Sequence, residues 1–502
     1  MDQRDVAFST VILGAGPCGL GAAWRLKNTA SGEMQNYLLI DESETPGGRA
    51  ASCVTPEGFI FDQGGHVLYP HKEFPAFVDL LDELVDEWHE SKPVRGVWMG
   101  ENLIPYPIQK NIHRLPAGKF LHCVWGLGKA KMPAFSGATV AADDLLVYLK
   151  SKFGSELTRL VLGPLNHKMW AYPPEELSSE WTSHRSGSNC RNVPDVAIWK
   201  LLRNLVLQRD ELGWDESTRV RYPLRGGTGA IWTKLAEDLP AHSCSFGTRV
   251  TSIDPGKKLL RDNHGRSIRY ERLISTIPVD ILLHLLEDEP QLSTNAERFR
   301  CASVQLFGFG IEGYVPDHLR GVHSFHVPEK KYPFWRVNFP SHFSPGNVPD
   351  AATTWSVLCE VSSPSHTSTP IDAAEIESSL RQLQILHSGH KIVSRWSQFL
   401  GHGYPVPFRG RDAVLNTVHT RLHELDILSR GRFGGWKYEV SNQDHAFMQG
   451  VEAVDFLMHD APEATYFGRE SARQMVYPPM LAMPAISSSS PPNSGCSFSR
   501  SL

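Results

Sequence analysis

The chain of 502 residues has only 8 cysteines, and none falls in a C-x-x-C pair or any other spacing suited to a metal. That argues against a disulfide scaffold and against a zinc module. With no signal peptide at the N-terminus, the pattern fits reduced thiols in a cytoplasmic protein. Long hydrophobic runs are also missing, and none approaches the roughly 20 residues of a membrane helix. Charge of one sign is not in excess: 50 Lys and Arg stand against 55 Asp and Glu, a net charge of −5 spread along the chain. Neither nucleic acid nor an anionic membrane is therefore expected as a partner. An anionic ligand would have to be held by particular Arg or Lys side chains. Internal repeats, a Ser-His-Asp set, a reactive-cysteine motif and a metal cluster are absent as well.

What the chain does have is length, too much of it for one core, so two or three domains are expected. "AFSTVILGAG" reads as a buried strand and "PCGLGAAWRLKN" as a helix with Leu20, Ala23 and Leu26 on one face. "YLLIDESE" is a second strand, ending at Asp41. Amphipathic segments between 110 and 205 point to helices. From 246 the texture becomes short alternating strands, and a second β-rich stretch covers 301–360. Beyond 478 the Pro- and Ser-rich sequence has little to pack and reads as a disordered tail.

Gly14, Gly16 and Gly19 form G-x-G-x-x-G between the first strand and helix. The first glycine permits a tight turn, the second lets backbone approach a pyrophosphate, and the third lets helix pack on strand. The helix N-terminus then receives the pyrophosphate, and Asp41 suits a ribose hydroxyl. Two further glycine pairs follow, Gly47-Gly48 before Arg49 and Gly64-Gly65 before His66. Each lets backbone lie against something flat, which an NAD enzyme does not need and a flavoprotein does. FAD is the expected cofactor.

A third unusual stretch is "GRFGGWKYEVSNQDHAFMQG" (431–450), where glycines, cationic side chains and aromatic rings crowd together. It closely resembles the C-terminal flavin and substrate motif of eukaryotic UDP-galactopyranose mutases. "GGHVLY", "LIPYPIQKNI", "LNHKMWAYPPEELSSEWTSHR", "RYPLRGGTGAIW", "YPFWR" and "GHGYPVP" resemble the same family in the same order, from about residue 8 to 460. The resemblance implies an isomerase acting on a UDP-sugar. Reduced FAD, with NADPH as reductant, would attack the anomeric carbon through N5 while UDP leaves, with no net redox change. Its fold would be a discontinuous Rossmann-like FAD-binding α/β domain of glutathione-reductase type (1–90, 226–296 and 425–478). A helical domain (111–205) and an antiparallel β-sheet substrate domain (91–110, 206–225 and 297–424) would complete it, ahead of the tail (479–502). Homo-oligomers are compatible with the family.

Carried over residue by residue, Arg185 and Arg336 resemble the pair that clamps the substrate diphosphate, with Tyr106, Tyr404 and Tyr438 donating hydroxyls to it. Gln109, Asn166 and Trp170 line the nucleotide and sugar pocket. His66 resembles the histidine whose loop follows the flavin redox state, while Val250, Arg432, Asn442 and Gln443 join the cofactor contacts. Several positions depart from the family: Tyr69 replaces Phe, Ser217 replaces Asn, His326 replaces a diphosphate-contacting Tyr, and Ser441 and Ala446 replace Gly and Ser. These cluster on the nucleotide and sugar side. A different nucleotide sugar is therefore an alternative, as are a flavin amine oxidase and a non-enzymatic relative like the GDP-dissociation inhibitors. As a histidine titrating near ~6.5, His326 is expected to make UDP binding pH-dependent.

Overall fold

The first strand is buried from Thr10 onward. Strand Val6–Leu13 lies parallel to Tyr37–Ile40 on one side and to Ser267–Ser275 on the other. Parallel strands covered on both faces read as near-continuous apolar sequence, as "VILG" and "YLLI" do. The structure is a computed structural model describing residues 6–29, 36–66, 68, 73–132, 143–182, 196–212, 219–367 and 371–468. The tail 479–502 and three expected site residues, Tyr69, Arg185 and Ser217, lie outside the described residues.

The first sheet has seven strands in the order Val250–Asp254, Leu259–Asp262, Ser267–Ser275, Val6–Leu13, Tyr37–Ile40, Cys244–Ser245, with Ile427–Ser429 also pairing Ser267–Ser275. Helix Pro17–Lys27 covers one face, with Leu20, Ala23 and Leu26 buried together. Pro17 opens it at the position where a missing N–H costs nothing. Helix Gln443–His459 packs on it at backbone distance. A Cβ on Gly21 would lie 2.4 Å from the Phe447 carbonyl oxygen, and one on Gly450 would lie 1.9 Å from that of Cys18. Arg25 Nε donates to Asp455 Oδ1 at 2.6 Å along the same interface.

The second sheet also has seven strands: Lys391–Pro405, Cys301–Glu312, Thr354–Pro364, Arg336–Asn338, Ser324–His326, Arg95–Met99 and Asn102–Pro105. Every pairing in it is antiparallel except Ser324–His326 with Arg95–Met99. Helices Ala117–Lys131, Leu145–Phe153 and Gly163–Trp170 do not keep a core to themselves. Phe120, Leu149 and Trp170 share one with Leu306, Leu358 and Leu400 of this sheet. Among the described residues no helix is long and apolar enough to cross a membrane.

Two segments sit differently from the sequence reading. Strand Val220–Pro223, in the stretch 206–225 assigned to the β-sheet substrate domain, pairs with Trp88–Ser91 and not with the second seven-stranded sheet. The physical reason is Asp62, a buried carboxylate pushed up to about 6 by burial, which draws donors to itself. Tyr222 Oη reaches it at 2.8 Å, Ser52 Oγ at 2.5 Å and the Thr228 N–H at 3.2 Å. Helix Arg411–Glu424, expected with the second sheet, buries Val414, Leu415, Val418 and Leu422 in a core shared with Val11, Leu13 and Leu273 of the first.

Candidate active site

The glycines of the two N-terminal motifs make one continuous backbone cradle. Gly14 has φ +99°, and a Cβ there would strike Thr276 Oγ1 at 2.4 Å. A Cβ on Gly19 would lie 1.7 Å from the Gly14 carbonyl oxygen. The Gly47 N–H donates to the Ala15 carbonyl at 2.8 Å, which sets Gly48 directly against Gly16. The first N–H groups of helix Pro17–Lys27 open onto this cradle, with no side chain capping them. Asp41 closes its side: its Oδ2 accepts from the Ala15 N–H at 2.5 Å and its Oδ1 from that of Ser43 at 2.7 Å. The Thr248 N–H donates to the Asp41 carbonyl at 2.9 Å, which brings the approach to Val250 beside Asp41. Val250 itself is buried in its strand.

Residues 431–450 form the opposite wall. Asn442 stands exposed at the N-cap of Gln443–His459, without a side-chain cap bond, and Gln443 Oε1 accepts from Trp232 Nε1 at 2.8 Å. Arg432 donates to Ser441 Oγ at 2.9 Å and to the Gly403 carbonyl at 3.3 Å. Ser441 thus gives the guanidinium an acceptor that a glycine at that position could not. Burial lowers the pKa of Arg432, and Arg336 lowers it further. Arg49, bonded at 3.4 Å to Gln63 Oε1, is lowered by burial and then by Arg432. Half-buried guanidiniums that disfavour one another are a site asking for an anion.

Across that wall, Arg336 belongs to a network the sequence reading did not anticipate. Its Nε donates to Glu360 Oε1 at 2.7 Å and its Nη2 to Tyr404 Oη at 3.2 Å. Glu360 also accepts from Asn338 Nδ2 at 2.8 Å, from Tyr404 Oη at 2.9 Å and from the Gly65 N–H at 3.2 Å. Gly65 is a fit for glycine alone, because a Cβ would meet Asn338 Oδ1 at 2.2 Å. Burial works against the Arg336 charge, but Glu360, Tyr404 and Tyr438 together outweigh it and raise the guanidinium above its ordinary range. Among the described residues Arg336 Nη1 makes no hydrogen bond.

Aromatic rings line the remaining side. Trp170, fully buried, meets Tyr438 edge-on at 4.9 Å, Trp181 at 5.5 Å and Tyr404 at 6.2 Å. Asn166 sits one turn before it, accepting from Trp170 Nε1 at 3.2 Å. Tyr106 leans edge-on against His326 at 5.9 Å, and His326 stacks on Trp335 at 5.7 Å. Gln109 is buried on the short turn Ile108–Lys110. Lys168, on the same helix as Asn166, donates to the carbonyls of Val327, Glu329 and Phe334 at 2.7, 3.1 and 2.6 Å. It ties that helix to the hairpin carrying His326 and Arg336.

His326 does not behave as expected. Burial, then Arg336 and Arg95, pushes it down to about 3, so it is neutral throughout the neutral pH range. His66 is held down to about 3 as well, by burial first and then Arg336 and Arg432. Each has a buried Nδ1 without a hydrogen-bond partner. The positions brought together are the glycine cradle, Asp41, Arg49, His66, Arg432, Asn442 and Gln443 on one side, and Tyr106, Asn166, Trp170, His326, Arg336, Tyr404 and Tyr438 on the other. Glu360, Asn338, Trp181, Trp335 and Lys168 were missed. Glu360 carried a readable signal as the only charged residue in strand "TWSVLCEVSSP" (Thr354–Pro364).

An NAD(P)-binding Rossmann-like domain is recognised over residues 12–84. A crystal structure of reduced UDP-galactopyranose mutase is 33% identical, with a TM-score of 0.84, covering 93% of this chain and 97% of that one. A protein from Exiguobacterium sp. 255-15 assigned as a protoporphyrinogen oxidase is 15% identical over 91% of this chain and 100% of its own, with a TM-score of 0.66. A putrescine oxidase variant is 14% identical over 91% and 100%, with a TM-score of 0.59. The last two share the fold.

Proposed function

The chain belongs to the UDP-galactopyranose mutase family, and from that premise we propose that it interconverts UDP-galactopyranose and UDP-galactofuranose with reduced FAD, NADPH serving as reductant. It is a flavoenzyme of the mutase class. The observation that carries the finer reading is the Arg336–Tyr404–Glu360 network, set across from a glycine cradle with uncompensated guanidiniums.

The residues present fit FAD. Gly14, Gly16, Gly19, Gly47 and Gly48 offer a surface no Cβ obstructs, and the N-termini of Pro17–Lys27 and Gln443–His459 offer N–H groups and positive dipole ends. Asp41 would take the ribose, Arg49 and Arg432 would face the anionic and electron-rich parts, and Gly64, Gly65 and His66 would lie along the ring. When bound in its reduced form, FAD supplies the nucleophile and UDP is the leaving group.

The chain's own part is to hold and release that leaving group. Arg336 presents Nη1 to the diphosphate, with Arg185 as its partner in the clamp. Glu360 keeps Arg336 aimed from behind, and Asn338, Gly65 and Tyr404 hold the carboxylate in place. Such a second layer of hydrogen bonds removes the freedom a long guanidinium would otherwise lose on binding. Tyr404 donates its hydroxyl hydrogen bond to Glu360 before ligand arrives, so it turns toward the diphosphate by exchanging one anionic acceptor for another. Tyr106 and Tyr438 add neutral donors, and Trp170 with Trp181 excludes water from the strengthened charge contacts. His326, neutral, can offer one N–H. Its place beside Tyr106 supports a second reading in which the sugar nucleotide differs from UDP-galactose.

Dithionite-reduced protein, incubated anaerobically with a panel of UDP-sugars, should convert UDP-galactopyranose to the furanose and back by chromatography. With NADPH as the only reductant, many turnovers are expected for each NADPH oxidised. One NADPH spent per product would replace the mutase by an oxidoreductase. Conversion of another nucleotide sugar alone would select the second reading.

A further inference from the structure

Three strands that lie side by side in the second sheet end at one place. Cys301 begins strand Cys301–Glu312, His402 lies near the end of Lys391–Pro405, and His366 follows Thr354–Pro364. From the pairing of Ala302 with Tyr404 and Val304 with Leu400, Gly401, His402 and Gly403 stand against Ser303 alone. This bulge re-aims His402. The ligand atoms of Cys301, His366 and His402 fall within 4.8 Å of one another. From this arrangement we propose that Cys301, His366 and His402 bind a zinc-class divalent cation, at a site separate from the nucleotide-sugar cleft.

Each ligand is held by a neighbour. Ser365 Oγ accepts from the Cys301 N–H at 2.9 Å and donates to its carbonyl at 2.9 Å. Ser303 Oγ donates to the Gly401 carbonyl at 2.8 Å and accepts from the His366 N–H at 3.0 Å. His366 has φ +55°, a left-handed conformation that these bonds hold. His402 Nε2 lies 2.8 Å from Asp280 Oδ2, which leaves Nδ1 for the ion. A carboxylate behind a ligating imidazole fixes its tautomer and ring orientation.

One thiolate and two imidazoles select Zn²⁺ and its neighbours over Mg²⁺ or Ca²⁺. Binding breaks the Cys301 S–H bond, whose proton now faces the Gly401 carbonyl at 3.3 Å, and forms an S–Zn bond while the proton leaves to solvent. His366 is exposed, so the fourth position opens to water. The site also borders the cofactor wall: the His402 ring is 5.4 Å from Phe433, and the next carbonyl, Gly403, accepts from Arg432.

The test uses the FAD-loaded protein, stripped with chelator and titrated with Co²⁺. One equivalent should produce tetrahedral d–d bands beyond the flavin absorption and a thiolate-to-cobalt band in the near ultraviolet, both lost on adding Zn²⁺. Cys301→Ser and His366→Ala should abolish these bands, and Asp280→Asn should weaken Co²⁺ binding about 10- to 100-fold. Cys53→Ser, at a thiol elsewhere, should leave them intact. The proposal is overturned by wild-type protein that shows no such bands, or by bands that survive in His366→Ala. That variant changes an exposed side chain and keeps the flavin as a check on folding.

Discussion

Arg336→Ala is expected to weaken UDP binding about 10- to 100-fold, from the roughly 1.5–3 kcal/mol of a charge-assisted hydrogen bond. It is also expected to destabilise the protein by about 3–5 kcal/mol, because it strands a buried carboxylate. Glu360 is fully buried, and without Arg336 it keeps, among the described residues, only the neutral donors Asn338, Tyr404 and the Gly65 N–H. The two effects separate in a double variant. Arg336→Ala with Glu360→Gln removes the stranded charge and should recover most of the melting temperature but none of the UDP affinity. Arg185→Ala should lose affinity to a similar degree. Calorimetry and UDP titration on the four proteins decide it, and unchanged UDP affinity in Arg336→Ala would remove the clamp.

The second large effect is a loss of stability in acid. His66 and His326 are pushed down to about 3 and His323 to about 4, in each case by burial first. For His323 the geometry agrees, since its Nδ1 accepts from the Val94 N–H at 3.2 Å and so carries no proton. A histidine free in the unfolded chain titrates near ~6.5, so below that pH the unfolded state binds protons that the folded state refuses. Stability is therefore full above about 6.5 and falls as pH drops, by up to about 1.4 kcal/mol per pH unit for each histidine, until the folded values near 3–4 are reached. Three such groups together should lower the melting temperature steeply between pH 6 and 5. His326→Tyr should make that fall shallower by about a third of the contribution of these three groups, each of which has the same limiting slope. From pH 6 to 8.5 the slope of UDP affinity should match between His326→Tyr and wild type, the reverse of what a titrating His326 would give.

What could be read from the sequence was local. The glycine motifs declare themselves because their geometry is fixed within six residues, and the helix behind them follows from the spacing of Leu20, Ala23 and Leu26. The 431–450 segment was legible for the same reason, since Arg432, Tyr438, Asn442 and Gln443 share one turn-rich stretch. Glu360 was not, because its donors come from residues 65, 336, 338 and 404, which only sheet pairing brings together. Cys301, His366 and His402 escape a spacing test on the same ground: their order in the chain says nothing about three strands ending side by side. Pairing was also what moved Val220–Pro223, through a carboxylate 160 residues from the tyrosine that satisfies it.

The glycine-to-backbone contact of Pro17–Lys27 with Gln443–His459 has a consequence for how the protein is made. Arg25 and Asp455 are 430 positions apart, and ribosomes add roughly 5–20 residues each second. The dinucleotide-binding helix therefore leaves the ribosome roughly 20 to 90 s before the helix that covers its face. During that interval its Gly21 flank and the strand beside it are open to solvent and to chaperones. Release of the last segment, not of the first, is the moment at which the cofactor cradle can close.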